Sequence, residues 1–160
     1  MRYAELRCRT HYSFLRGASP PSELVERAAE LGLEALAITD RDGVYGVPKA
    51  YRAQKSLNEK TPLKLIVGSE LTLAGGEGVM RELPRLTLLA STRAGYGLMC
   101  RLLSASHEDK PKGEAALSWE RFSQLMSASE FSAGRAGLLA LPEEGLASRE
   151  LLGSLQELFP

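Results

Sequence analysis

Ser19-Pro20-Pro21-Ser22-Glu23-Leu24-Val25-Glu26-Arg27-Ala28-Ala29-Glu30-Leu31-Gly32 runs directly into Leu33-Glu34-Ala35-Leu36-Ala37-Ile38-Thr39-Asp40, and this stretch decides the fold class. Its first half carries Leu24, Ala28 and Leu31 at helical spacing, with Glu23, Glu26, Arg27 and Glu30 on the other faces. Ser19 or Ser22 is placed to cap that helix, proline suits its first turn, and Gly32 stops it. Residues 36–40 are a short apolar run ending in polar side chains, as expected of a buried parallel strand. A helix followed at once by such a strand is half of a β/α repeat.

The same alternation continues on both sides. Tyr3 to Arg9 alternates apolar and polar residues as a strand does. Pro48 to Leu57 reads as a helix and Leu63 to Leu71 as a strand. Ala74 to Gly78 reads as a loop, Leu86 to Ala90 as a strand, and Arg93 to Ser106 as a helix with Tyr96, Met99, Leu102 and Leu103 on one stripe. Ser118 caps a helix with Phe122, Leu125 and Met126 inward, and residues 137–141 form another strand. Ser148 to Phe159 closes as an amphipathic helix with Leu151, Leu152, Leu155 and Leu158 inward. About five β/α units therefore predict an α/β protein with a mainly parallel sheet.

Composition narrows the function classes. The 160 residues are 44% hydrophobic and 25% charged, ordinary for a globular domain. No apolar run approaches the roughly 18 residues of a membrane span, and the first residues lack the apolar stretch of a signal peptide. Cys8 and Cys100 make neither a disulfide framework nor a paired-cysteine zinc motif, so reduced, inert thiols in the cytoplasm are the expectation. Lys+Arg is 20 and Asp+Glu is 20, which does not mark a nucleic-acid binder. Residues 1–112 hold 17 basic and 13 acidic side chains and residues 113–160 hold 3 and 7, a split that reads as ordinary surface placement.

In α/β folds the chemistry gathers at the C-terminal ends of the strands. Those ends carry Arg7, Cys8, Arg9, Asp40, Arg41, Asp42 and Glu70. Asp40 and Glu70 are the candidates for a hard metal or for acid–base work. Two histidines in all, His11 and His107, are too few for a rich multi-metal cluster. Arg7, Arg9 and Arg41 have no lone pair for a metal; they either pair with Asp40 and Glu70 or bind phosphate, pairing being the simpler reading. No phosphate-cradling loop ending in Gly-Lys-Ser/Thr, no dinucleotide fingerprint and no Gly-x-Ser-x-Gly turn occurs.

Arg7-Cys8-Arg9-Thr10-His11-Tyr12-Ser13-Phe14-Leu15-Arg16-Gly17-Ala18 resembles the first motif of the polymerase-and-histidinol-phosphatase (PHP) domain. The version it resembles stands at the N-terminus of the bacterial DNA polymerase III alpha subunit. Leu36 to Val47 resembles the second motif, Leu65 to Glu70 the third, and Leu86 to Ala90 with Gly95 to Leu98 and Ser104 to His107 the fourth. Residues 13–19 and 111–114 are most similar to the error-prone, damage-induced paralogue that works in translesion synthesis.

The resemblance implies a distorted β/α, TIM-like barrel. Such a barrel takes roughly 200 residues or more. Residues 1–160 are thus expected to be its N-terminal part, incomplete or open, with the polymerase domains beyond it. The departures are as informative as the matches. The family's His-x-His is Arg7 and Arg9 here, the His of its Thr-Asp-His is Arg41, and Pro142-Glu143-Glu144-Gly145 stands where a Cys ligand is expected. Arg7, Arg9, Asp40, Arg41, Glu70 and His107 then outline a vestigial cleft with no metal, no cofactor and no catalytic residue, the arginines pairing with Asp40 and Glu70 where metals would sit.

The implied partners are the remainder of the polymerase chain and its accessory proteins, with DNA reached through the parent polymerase; no membrane is expected. An open sheet edge also allows a homodimer. The alternative is a metal-dependent phosphoesterase or proofreading exonuclease with a reduced site on Asp40, Glu70 and His107. A small DNA-binding module is the third reading, which zero net charge does not support.

Overall fold

The computed structural model describes residues 3–57, 62–74, 85–143 and 149–159. The chain forms two compact units, Met1–Ser69 and Glu70–Pro160. It has the α/β character expected from the alternation.

In the first unit, β1 (Ala4–Cys8), β2 (Ala35–Ile38) and β3 (Lys64–Leu71, whose last two residues open the second unit) follow one another with parallel pairing. Ala35 pairs with Lys64 and Ile38 with Val67, while Ala4 pairs with Ala35 and Cys8 with Ile38. All four residues of β2 are buried, as a central parallel strand requires. A register shift between Glu5 and Cys8 breaks the alternation of β1, so its side chains do not simply follow odd and even positions.

Two helices connect these strands, α1 (Pro21–Glu30) and α2 (Val47–Ser56). Val25, Ala28, Leu36, Ile38, Ala50 and Leu63 make one buried cluster, with Leu24, Val47 and Leu65 packed against it. The expected serine cap is absent. Pro20 occupies the N-cap position without a side-chain hydrogen bond, and Pro21 fixes the first turn. The buried stripe is also turned relative to the expected one: Val25 is fully buried and Leu31 is 59% exposed. Gly32 does end the helix in the left-handed region, at φ +67°.

The second unit departs further from the sequence reading. β5 (Leu86–Ala90) and β7 (Leu138–Pro142) are antiparallel, with Leu86 opposite Pro142 and Ala90 opposite Leu138. A single crossover helix would have returned the chain in the parallel sense. Here α3 (Arg93–His107), α4 (Trp119–Ser127), a 3₁₀ turn (Ser129–Phe131) and α5 (Ser132–Ala136) intervene. Two further strands, β4 (Leu73–Ala74) and β6 (Leu117–Ser118), pair in parallel where the sequence carried no strand signal.

α3 is capped by Thr92, whose hydroxyl accepts from Gly95 N at 3.0 Å. A side chain on Gly95 would strike the Gly137 carbonyl, which fixes how closely α3 meets the end of α5. Met99, Leu102 and Leu103 are buried on α3 as expected, but Tyr96 is 40% exposed. The Ser118 cap and the inward Phe122, Leu125 and Met126 of α4 are as read from the sequence. In α6 (Arg149–Leu158), Leu155 is buried whereas Leu152 faces out. The expected Gly75–Gly78 loop, the Glu144–Gly145 pair and Ser148 lie outside the described residues. No helix among the described residues is long and apolar enough to cross a membrane.

Candidate functional site

β2 delivers Asp40 into the interior. Thr39 N donates to the Cys8 carbonyl at 2.8 Å, keeping β1 and β2 together to their ends, and the next side chain is fully buried. A buried carboxylate is costly unless donors surround it. Asp40 Oδ1 accepts from Thr10 N at 2.8 Å, Thr10 Oγ1 at 3.0 Å and Ser13 Oγ at 2.8 Å. Oδ2 accepts from Thr10 Oγ1 at 3.0 Å and from Gly46 N at 3.0 Å.

The two hydroxyls are aimed by their own backbone donors. Thr10 Oγ1 accepts from Tyr12 N at 3.1 Å, and Ser13 Oγ accepts from Arg41 N at 3.0 Å, so both hydroxyl protons are free for Asp40. Four neutral donor groups thus meet a carboxylate that has about four lone-pair sites. Gly46 is required at this distance, because a Cβ there would run into Asp40 Oδ2 and lie 2.8 Å from Thr10 Cγ2. Ser69 at the end of β3 completes the node: its Oγ donates to the Asp40 carbonyl at 3.0 Å and accepts from Gly43 N at 3.1 Å.

The arginines do not take the role expected for them at Asp40. Arg41 is exposed, and its Nε pairs with the adjacent Asp42 Oδ2 at 3.2 Å. Asp40 is held by hydroxyl and amide groups instead. Neutral groups satisfy a buried carboxylate without drawing a second charge out of water, which is the more economical arrangement. Arg7 and Arg9 are half-buried, and both make contacts of their own. Cys8 between them has its thiol pushed up to about 11, first by burial and then by the negative charges of Glu5 and Asp40. Both causes favour the neutral thiol over the nucleophilic thiolate.

Glu70 and His107 belong to the second unit. Glu70 is buried, and its Oε1 faces Arg85 Nη1 at 3.4 Å. Arg85 immediately precedes β5, and its carbonyl accepts from Glu143 N at 3.2 Å. The contact sets the end of β3 beside the start of β5. Sequence reasoning missed Arg85 because a parallel arrangement would put the end of β3 and the start of β5 at opposite ends of the sheet. The one available signal was a cation directly ahead of an apolar strand. His107 is the last residue of α3 and is exposed; with Arg101 and Arg121 it lines a concavity of about 320 Å³.

These side chains do not make the donor set of a metal centre. Guanidinium groups at positions 7, 9 and 41 offer no lone pair, four donors already meet Asp40, and among the described residues no three His, Cys, Asp or Glu side chains converge.

The PHP domain family model matches residues 5–160. An error-prone DNA polymerase of Anaeromyxobacter sp. is 45% identical over 141 residues, 88% of this chain and 12% of that protein. An error-prone DNA polymerase of Pseudomonas fluorescens is 40% identical over 159 residues, 99% of this chain and 13% of that protein. The chain therefore spans about an eighth of the length of the curated relatives it matches. Among solved structures, an amidohydrolase from Chromobacterium violaceum superposes with a TM-score of 0.50 at 23% identity, over 66% of this chain and 33% of that one, a likeness of fold. The motif resemblance, the family model over residues 5–160 and the identity to the error-prone polymerases all agree: the chain belongs to the PHP domain family.

Proposed function

We propose that this PHP domain is a metal-free, non-catalytic structural domain of an error-prone DNA polymerase III alpha-type subunit. In that setting it braces the polymerase portion of the protein in the cytoplasm during translesion synthesis and offers its surface to accessory proteins. The observation that carries the reading is Asp40: both of its oxygens are taken by Thr10, Ser13 and Gly46, while arginines occupy positions 7, 9 and 41. A domain of this family that does chemistry on phosphate esters needs ligands with lone pairs at those points, and here a cation or a saturated carboxylate stands at four of them.

The test is elemental analysis of the purified chain after incubation with zinc and manganese and removal of free ion. Less than about a tenth of an ion per chain is the expected result. About one tightly held ion per chain would overturn the reading in favour of a phosphoesterase or exonuclease with a reduced site.

A further inference from the structure

The second unit carries a concavity that the metal-free reading does not use. Arg101, Ser104 and Ala105 recur along one face of α3, with His107 beside them at its last residue and Glu108 just past its end, and Arg121 faces them from the third position of α4. The opposite stripe of α3, Leu98, Met99, Leu102 and Leu103, is buried. This row is therefore the helix's outward face, and the concavity it lines measures about 320 Å³, a small-ligand size.

Neither guanidinium in it is satisfied by the protein. Among the described residues, neither the Arg101 nor the Arg121 side chain makes a hydrogen bond or ion pair; the Arg121 backbone N donates to Ser118 Oγ at 3.2 Å. Arg41, Arg85 and Arg135, by contrast, each spend their side chain on a protein oxygen. Two uncommitted forks around one hollow, with the Ser104 hydroxyl on its wall, present donors in excess. One carboxylate, Glu108, leaves the lining with more cationic than anionic groups. A tetrahedral oxyanion is the ligand that accepts from several such donors at once, because guanidinium groups bind phosphate oxygens bidentately.

We propose that Arg101 and Arg121 form a phosphate-binding site, Ser104 completing it. The shared ligand chemistry is a phosphate group, supplied either as free phosphate or by the backbone of single-stranded DNA. The test uses the whole chain and two probes: inorganic phosphate by calorimetric titration, and a fluorescently labelled single-stranded oligonucleotide by anisotropy at low salt. Arg101→Gln and Arg121→Gln should each weaken binding at least about fivefold, and the pair together should abolish it. Glu108→Gln should tighten it about two- to fivefold by removing the one repelling charge. Arg52→Gln, in the separate groove between α1 and α2, should leave it unchanged.

All of these positions are exposed, so the unfolding midpoint should not move in any variant. Binding of either probe that the double variant loses supports the site, and which probe binds decides the source of the phosphate. Failure of the wild-type chain to bind either probe overturns it, as does binding that the double variant keeps or that Arg52→Gln loses equally. Metal content is read independently, so failure here leaves the metal-free reading standing.

Discussion

Asp40 and Glu70 are both buried carboxylates at strand ends, and they are held in different ways. Asp40 is met by four neutral donors at 2.8–3.0 Å, all from the loops that follow β1 and β2. Glu70 faces a guanidinium at 3.4 Å, longer than the 2.7–2.9 Å of a tight charge-assisted hydrogen bond. The first arrangement surrounds the carboxylate with neutral dipoles. The second offsets charge with charge, and Arg85 retains 20% of its exposure to water. The difference teaches that a carboxylate which could serve a metal can become structural by two routes, and the neutral route leaves less room for a ligand.

The largest effect is expected at the neutral node. Asp40→Ala removes the acceptor for four buried donors at once and should cost about 3–5 kcal/mol in unfolding free energy. Asp40→Asn keeps the shape but turns an amide N–H₂ toward groups that also donate, so it should cost about 2–4 kcal/mol rather than rescue the loss. Denaturant titration of the three proteins measures both. A loss below about 0.5 kcal/mol in both variants would mean the node is not a support of the fold.

How far the sequence could show this follows from the same contrast. Asp40 was visible as the polar end of a short apolar run, and Glu70 likewise. The partners of Asp40 were not. Thr10 and Ser13 lie 30 and 27 residues away, and a hydroxyl residue in a loop carries no pattern of its own. Charge balance suggested arginine instead, because a one-dimensional reading matches opposite charges, whereas a buried carboxylate needs donors of any charge. The α/β class and the main helices were legible because hydrophobic periodicity is local, although the cap of α1 was not. The antiparallel β5–β7 pair depends on the path through α3 to α5, and the Arg85–Glu70 contact on how β5 is laid beside β3, neither of which a local pattern fixes.

The charged contact should give a smaller and more separable effect. Arg85→Met should destabilise the chain by about 1–3 kcal/mol, because Glu70 then keeps a buried charge without that cation. Glu70→Gln in the Arg85→Met background should recover part of the loss. A double-mutant cycle reads the coupling, expected at about 0.5–2 kcal/mol. Coupling within error of zero would show that the 3.4 Å approach contributes no attraction and that packing alone fixes Arg85.

The smallest effect sharpens the comparison, because it reports on the charge of Asp40 from beside it. The Cys8 thiol is pushed from 9.0 up to about 11, by burial first, then Glu5, then Asp40. Near pH 8 its thiolate fraction is then about a hundredth of that of an unshifted thiol, so alkylation in the native chain should be at least tenfold slower than in denaturant. Because the neutral thiol is favoured in the fold, its contribution to stability is complete below about pH 9. It falls as pH rises toward 11, where the unfolded chain has already ionised. Asp40→Asn removes one of the three causes and should lower the Cys8 value, speeding alkylation of the folded protein. If the rate at pH 8 is unchanged in that variant under native conditions, the four donors around Asp40 screen its charge so well that even Cys8 does not sense it, and the neutral route is more complete than the thiol implies.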